Sequence, residues 1–239
     1  MGNGRYHHGA LRSALLDAAE TLIREHGLDG WSLREATVRV GVSPSAAYHH
    51  FNSRDALVQA LSERVLIGLA ERLAAAVNRA AGGQTRMIAF GQSYVRWALE
   101  DPAIASLAFR QRGRGAPLAP VRPHPHDVLV AELDRLVDDG TLPAAVRPGT
   151  ESMIWACVHG LAVLFAGGHL RVDHPGEVDR EVERLVQALL TGLSREEPVS
   201  PVWPAVRTPH TDRLAAEQGR RSSLPGVSPA SANRTERDG

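Results

Sequence analysis

Apolar residues recur at helical spacing in one segment of this chain after another. Leu11, Leu15, Ala18 and Leu22 stand at i, i+4, i+7 and i+11, and Leu16, Ala19 and Ile23 widen the stripe. The pattern predicts a helix from about Ala10 to His26, stopped by Gly27. A second helix opens in "SLRE". There the Ser32 side chain can accept from the Glu35 backbone N–H while Glu35 reaches back to Ser32, a capping box. That helix ends at Gly41. A third, short helix follows within two or three residues, with Ser43 as N-cap and Pro44 at the first helical position, where its missing N–H costs nothing. It runs into "YHHF". A fourth starts at Asn52 or Ser53 and extends to about Arg79, with Leu57, Leu61, Val65, Leu69 and Leu73 on one face, until "AGGQ" breaks it.

Further helices are predicted over 85–100, 102–112, 125–139, 149–166 and 176–193. The segment 149–166 is apolar almost all round and is expected to be buried on every side. The last helix is amphipathic, with Val178, Val182, Leu185, Val186, Leu189 and Leu193 opposite Glu181, Glu183 and Arg184. No alternating strand pattern bounded by turn signals and no internal repeat occurs, so the predicted fold class is all-α. A Gly/Pro-rich loop, "GRGAPLAPVRPHPHD", interrupts the helices. From about Arg195 the apolar periodicity ceases and prolines accumulate, which predicts a disordered tail with a short helix possible over 211–218. The expected organisation is a small helical domain over 1–52, a larger one over 53–194, and a Pro-rich tail over 195–239.

Composition narrows the function. The 239 residues suffice for one sizeable core or two small domains. The formal net charge is zero, so any basic surface must be local. Every basic residue outside the histidines is Arg. A single cysteine, Cys157, excludes an intrachain disulfide framework and a CxxC metal or redox site, and its apolar setting fits a buried inert thiol. The N-terminal segment has no uninterrupted apolar run of the kind a signal peptide needs, and no stretch of about 18 apolar residues occurs. No membrane association and a cytoplasmic location are expected.

The first helices have helix-turn-helix spacing: helix, tight turn at Gly41, short second helix. In that motif the second short helix enters the DNA major groove, which explains three polar rings side by side. Tyr48 can donate its O–H to a phosphate. His49 offers a flat face to a thymine methyl and a ring N–H to a base; His50 can reach the backbone or pack under the helix. Ser43, Ser45 and Ala46 are small, so the backbone can come close to the bases. Ser32 and Arg34 at the start of helix two, Arg54 at the start of helix four and Arg5 in the N-terminal arm complete the candidate DNA contacts.

The stretch "LLDAAETLIREHGLDGWSLREATVRVGVSPSAAYHHFNSRDALVQALSE" resembles the TetR family of bacterial transcriptional regulators. The likeness covers about residues 10–63 and rests on helix one ending in His-Gly, then GVS, then Tyr-x-x-Phe. "RYHHGALRSALLDAA" and "WACVHG" are similar to a subgroup whose C-terminal domain carries Trp-x-x-x-His-Gly. One departure is Thr37, where the family usually has a small Ala. The resemblance implies an all-helical homodimer whose three N-terminal helices bind double-stranded DNA. It implies that the last two helices of each protomer build a four-helix interface, and that a small molecule in the larger domain moves helix four. The operator would then be pseudo-palindromic, with half-sites about 34–36 Å or more apart. Such a protein is most commonly a repressor. Candidate effector-binding residues are large or polar groups on apolar helices: Tyr94 and Trp97, Trp155 and His159, and Phe109 with Arg110 before the loop. The effector itself is expected to be largely apolar.

Enzymatic function is not expected, since GxSxG, P-loop, GxGxxG and HExxH are all absent. No cofactor is expected. Two alternatives share the fold. One is a metal-responsive regulator in which His124 and His126 converge with His159, His169 or His174. The other is a regulator without any ligand, whose C-terminal domain only dimerises.

Overall fold

The computed structural model describes residues 4–109 and 121–195. Among them all regular structure is helical: α1 Gly4–His26, α2 Leu33–Val40, α3 Pro44–Tyr48, α4 Arg54–Arg79, α5 Gln84–Glu100, α6 Pro102–Phe109, α7 Pro125–Asp138, α8 Thr150–Ala166 and α9 Pro175–Ser194. A 3₁₀ turn over Ala144–Val146, unforeseen in the sequence, joins α7 to α8. The tail from residue 196 lies outside the described residues.

The caps act as their residue types require. Ser32 accepts from the Glu35 N–H, and the Glu35 carboxylate accepts from the Ser32 N–H at 2.7 Å and from its hydroxyl at 2.7 Å. These bonds hold the Glu35 carboxyl below the usual carboxylate range. Gly41 closes α2 in the left-handed region, at φ 75°. Ser43 and Ser53 cap α3 and α4, accepting from Ala46 and Ala56 respectively. Two helix ends differ from expectation. α1 begins at Gly4 rather than Ala10, ahead of the first apolar residue of its stripe. α3 stops at Tyr48, because the N–H groups of His50 and Phe51 both turn back to the Ala47 carbonyl at 2.9 Å and carry Phe51 into the core.

Two hydrophobic cores result. The smaller gathers Leu15, Leu22 and Ile23 of α1 with Trp31, Ala36, Ala47, Phe51, Leu57 and Leu61, and takes Ile104 and Leu107 from α6. The larger joins Leu69, Leu73 and Val77 of α4 to α5, α7, α8 and α9. α4 therefore serves both, its first half in one core and its second in the other. Each fully buried leucine contributes about 1.5–3 kcal/mol. α5 and α9 meet closely at Gly91, where an added Cβ would lie 2.9 Å from Val182 Cγ1. Thr37 fits in place of a smaller residue: it is fully buried, and its hydroxyl donates to the Arg34 carbonyl at 2.7 Å.

One expectation fails. α8 is not buried on every side. Ile154, Val158, Ala162 and Phe165 face the core, while Met153, Val163 and Leu164 are more than 40 % exposed. The single chain packs α5, α7 and α9 around α8, and these cover only its inner face.

Ion pairs tie α1 to its neighbours around the smaller core. Arg64 of α4 binds Asp17 and Glu20 of α1. Arg24 of α1 binds Asp101 at 2.7 Å, just before α6. Asp101 and then Glu20 hold the Arg24 guanidinium above its usual range. These pairs are largely exposed and add little stability each.

Candidate functional site

The three-helix unit holds an outward-facing edge. Ala47 of α3 is fully buried and Phe51 nearly so, so α3 is pinned by its inner face. Its outer face presents Ser45, Tyr48 and His49 to solvent, with Tyr48 56 % exposed. Ala46 is partly covered, and Ser43 and Ser32 are exposed with their hydroxyls engaged in capping. Arg34, at the start of α2, is exposed and has no ion-pair partner among the described residues. These groups lie on α2, on α3 and on the residues that cap them.

Arg54 is the exception. It was expected to reach out to a phosphate. Instead its guanidinium lies 4.7 Å above the Trp31 ring and donates to the Leu28 carbonyl, with Asp29 at 3.7 Å. The cation is held over the indole face by one carbonyl, while its Nε is buried with no hydrogen-bond partner among the described residues. Arg54 thus clasps the α1–α2 loop to the start of α4. Arg12 makes a similar contact, 5.2 Å above the Phe51 ring, that sequence reading missed. The Arg5 side chain lies outside the described residues.

The second candidate group lies in the larger core. Tyr94 is 2 % exposed; Trp97, Trp155 and His159 are partly buried around it. The Tyr94 hydroxyl and His159 Nδ1 are hydrogen-bonded at 3.0 Å. Burial drives the Tyr94 phenol far above its usual range and holds His159 below the usual histidine value. So four of the expected effector residues do converge. The fifth, Phe109, ends α6, and its side chain and Arg110 lie outside the described residues.

His126 joins this group unexpectedly, its ring centroid 6.3 Å from that of Trp155. Its neighbour His124 caps α7: its Nδ1 accepts from the His126 N–H at 3.1 Å and its own N–H donates to Asp127. The "PHPH" histidines thus start a helix and line an aromatic group. No set of three His, Cys, Asp or Glu among the described residues could hold a metal ion. No helix among them is long and apolar enough to cross a membrane.

A helix-turn-helix edge joined through α4 to a larger helical body is the architecture of a DNA-binding transcriptional regulator. Comparison with known proteins agrees. Residues 15–61 match the family model described as bacterial regulatory proteins, tetR family, and residues 87–189 match that of the tetracyclin repressor-like C-terminal domain. An uncharacterized HTH-type transcriptional regulator of Bacillus subtilis, YobS, is 29 % identical over 94 residues, 39 % of this chain and 49 % of that protein. An HTH-type transcriptional repressor of Mycobacterium tuberculosis is 36 % identical over 73 residues, 30 % of this chain and 37 % of that protein. The matches thus span half or less of these curated relatives. A solved structure of a protein with unknown function from Rhodococcus sp. RHA1 is 29 % identical and superposes with a TM-score of 0.69, covering 81 % of this chain and all of that one. The chain belongs to the TetR family of bacterial regulatory proteins.

Proposed function

We propose that this protein is a homodimeric, cytoplasmic repressor that reads a pseudo-palindromic operator with α3 and leaves it when a small, largely apolar effector binds the larger domain. Residues 1–52 form the reading domain, 53–194 the sensing and dimerising domain, and 195–239 a disordered tail. Tyr48 contacts phosphate, His49 a base edge, and Arg34 the backbone across the groove, with Ser32, Ser43, Ser45 and Ala46 allowing close approach. The observation that carries the reading is the exposed Tyr48 on a helix whose other face is locked in the core. The apolar outer face of α8, with Met153, Val163 and Leu164 exposed, supports a second copy as its cover. The repressor named among the relatives supports the sign of regulation.

The effector acts through Tyr94, Trp97, Trp155, His159 and Phe109. For operator affinity to fall a hundredfold, the effector must favour the DNA-incompetent state a hundredfold, about 2.8 kcal/mol.

The test is selection of bound fragments from host genomic DNA, followed by gel shift across a salt series. Tyr48→Ala is expected to abolish the specific complex, and His49→Ala to weaken specific binding more than non-specific binding. Specific binding by Tyr48→Ala equal to that of the parent would refute the reading helix.

A further inference from the structure

We propose that α3 reads its half of the operator through thymine methyl groups, received by the Pro44 and His49 rings, and not through paired hydrogen bonds to a purine; this rests on the reading role of α3 given above. The exposed side chains of α3 and its C-cap are Pro44, Ser45, Tyr48 and His49. None is Arg, Lys, Asn or Gln, the side chains that grip guanine or adenine with two bonds. Ser45 brings a single short hydroxyl. The two nitrogens of the His49 ring diverge, so at most one meets a given base edge. The Ser43 hydroxyl, just ahead of the helix, already accepts from the Ala46 N–H at 3.2 Å.

The arginines around the motif do not supply the missing grip. Arg39 binds Glu25 at 2.7 Å, and Arg24 binds Asp101 at 2.7 Å. Arg12 lies over the Phe51 ring and Arg54 over that of Trp31. Arg34 remains, and it stands on α2. What α3 does offer is apolar ring surface close to its own backbone. Pro44 is its first residue, exposed, with a ring of methylenes and no N–H to donate. His49 ends it in a helical conformation, so Ser45 and His49 form an i, i+4 pair beside that of Pro44 and Tyr48. Ala47, fully buried, and Phe51, 4 % exposed, anchor the opposite face. In the major groove the C5-methyl is the apolar mark that sets thymine apart from the other bases. Covering it with a proline or imidazole face removes both surfaces from water. Five residues separate the two rings, a rise of about 7.5 Å, or a little over two base-pair steps of about 3.4 Å. The thymines read by one α3 therefore lie within about three base pairs of each other.

The experiment takes the genomic fragment selected by the full chain and replaces each thymine of its half-sites, one at a time, by deoxyuridine. The exchange removes one methyl and keeps every hydrogen-bonding group of the base. Gel shift reads the affinity of the parent, Pro44→Ala and His49→Ala, and circular dichroism checks that each variant is folded. At one or more half-site thymines the parent is expected to lose about fourfold, the effect of withdrawing a single carbon group from water. At that thymine Pro44→Ala or His49→Ala should bind the two duplexes within about twofold of each other. A loss by the parent of less than about twofold at every half-site thymine would overturn the proposal. So would a loss that persists in full in both folded variants. Either of those results, with specific binding that Tyr48→Ala abolishes, refutes the methyl readout and leaves the reading helix standing. A selection that yields no specifically bound fragment overturns both.

Discussion

Glu132 of α7 is 2 % exposed, and two arginines meet on its carboxylate. Arg86 reaches across from α5 with two bonds, Nε at 2.6 Å and Nη2 at 3.0 Å. Arg135, three residues along α7, binds one of the same oxygens. The Arg86 side chain is 19 % exposed and that of Arg135 is 54 % exposed, so one acceptor has two very unequal donors. Breaking a buried pair costs roughly 3–5 kcal/mol, mostly from the charge left stranded. Arg86 retains Asn78 Oδ1 at 3.4 Å and some water, so Glu132→Ala should cost about 2–3 kcal/mol. Arg86→Ala should cost as much, because it strips the buried carboxylate of two bonds. Arg135→Ala should cost under about 1 kcal/mol, as an exposed partner does. In a chain of this size the first two lower Tm by roughly 5–10 °C. The assay is thermal and urea unfolding of all three variants, with operator binding as a control for the distant reading edge. Replacing Glu132 and Arg86 together by Leu and Met should recover most of the loss, since no charge is then stranded. Equal losses for Arg135→Ala and Arg86→Ala would refute the reasoning from burial.

Three further outcomes are expected. Gly68→Ala on the exposed face of α4, where a Cβ meets nothing within 4 Å, should stabilise by about 0.5–1 kcal/mol through helix propensity. Gly91→Ala should not, because its Cβ would press on Val182 at 2.9 Å and Val186 at 3.3 Å, an overpacking cost of roughly 1–3 kcal/mol that cancels or exceeds the gain; a more stable Gly91→Ala would show that α9 yields freely. Gly41→Ala should lower stability by about 1 kcal/mol, the strain of a left-handed residue at φ 75° less the entropy removed from the unfolded chain, and Gly41→Asn by less, both read from unfolding midpoints. His159 is held below the ordinary value of 6.5, so the unfolded chain binds its proton more readily. Its contribution is full above pH 6.5 and is lost as pH falls from there through the depressed folded value. Tm should drop more between pH 7 and 5.5 in the parent than in His159→Gln, and parallel curves would count against burial of that ring.

Much of this molecule follows from rules that act within four or five residues. The 3.6-residue stripes placed the helices, Ser32 with Glu35 and Ser43 with Pro44 placed their starts, and Gly41 placed the turn of the reading motif. Each depends on a bond or a dihedral that the local residues settle among themselves. Helix packing settled the rest. That Arg54 lies over the Trp31 ring depended on where the α1–α2 loop came to lie against α4. Where the "PHPH" histidines lie was equally non-local: α7 begins there, and the His126 ring comes to lie 6.3 Å from that of Trp155. Glu132 lies under Arg86 only because α5 packs beside α7. α8, apolar all round, carried no directional signal, so only its neighbours could decide that Met153, Val163 and Leu164 face outward. Periodicity marks which residues prefer to leave water; which neighbour receives them depends on helices far apart in the chain meeting with their surfaces in register.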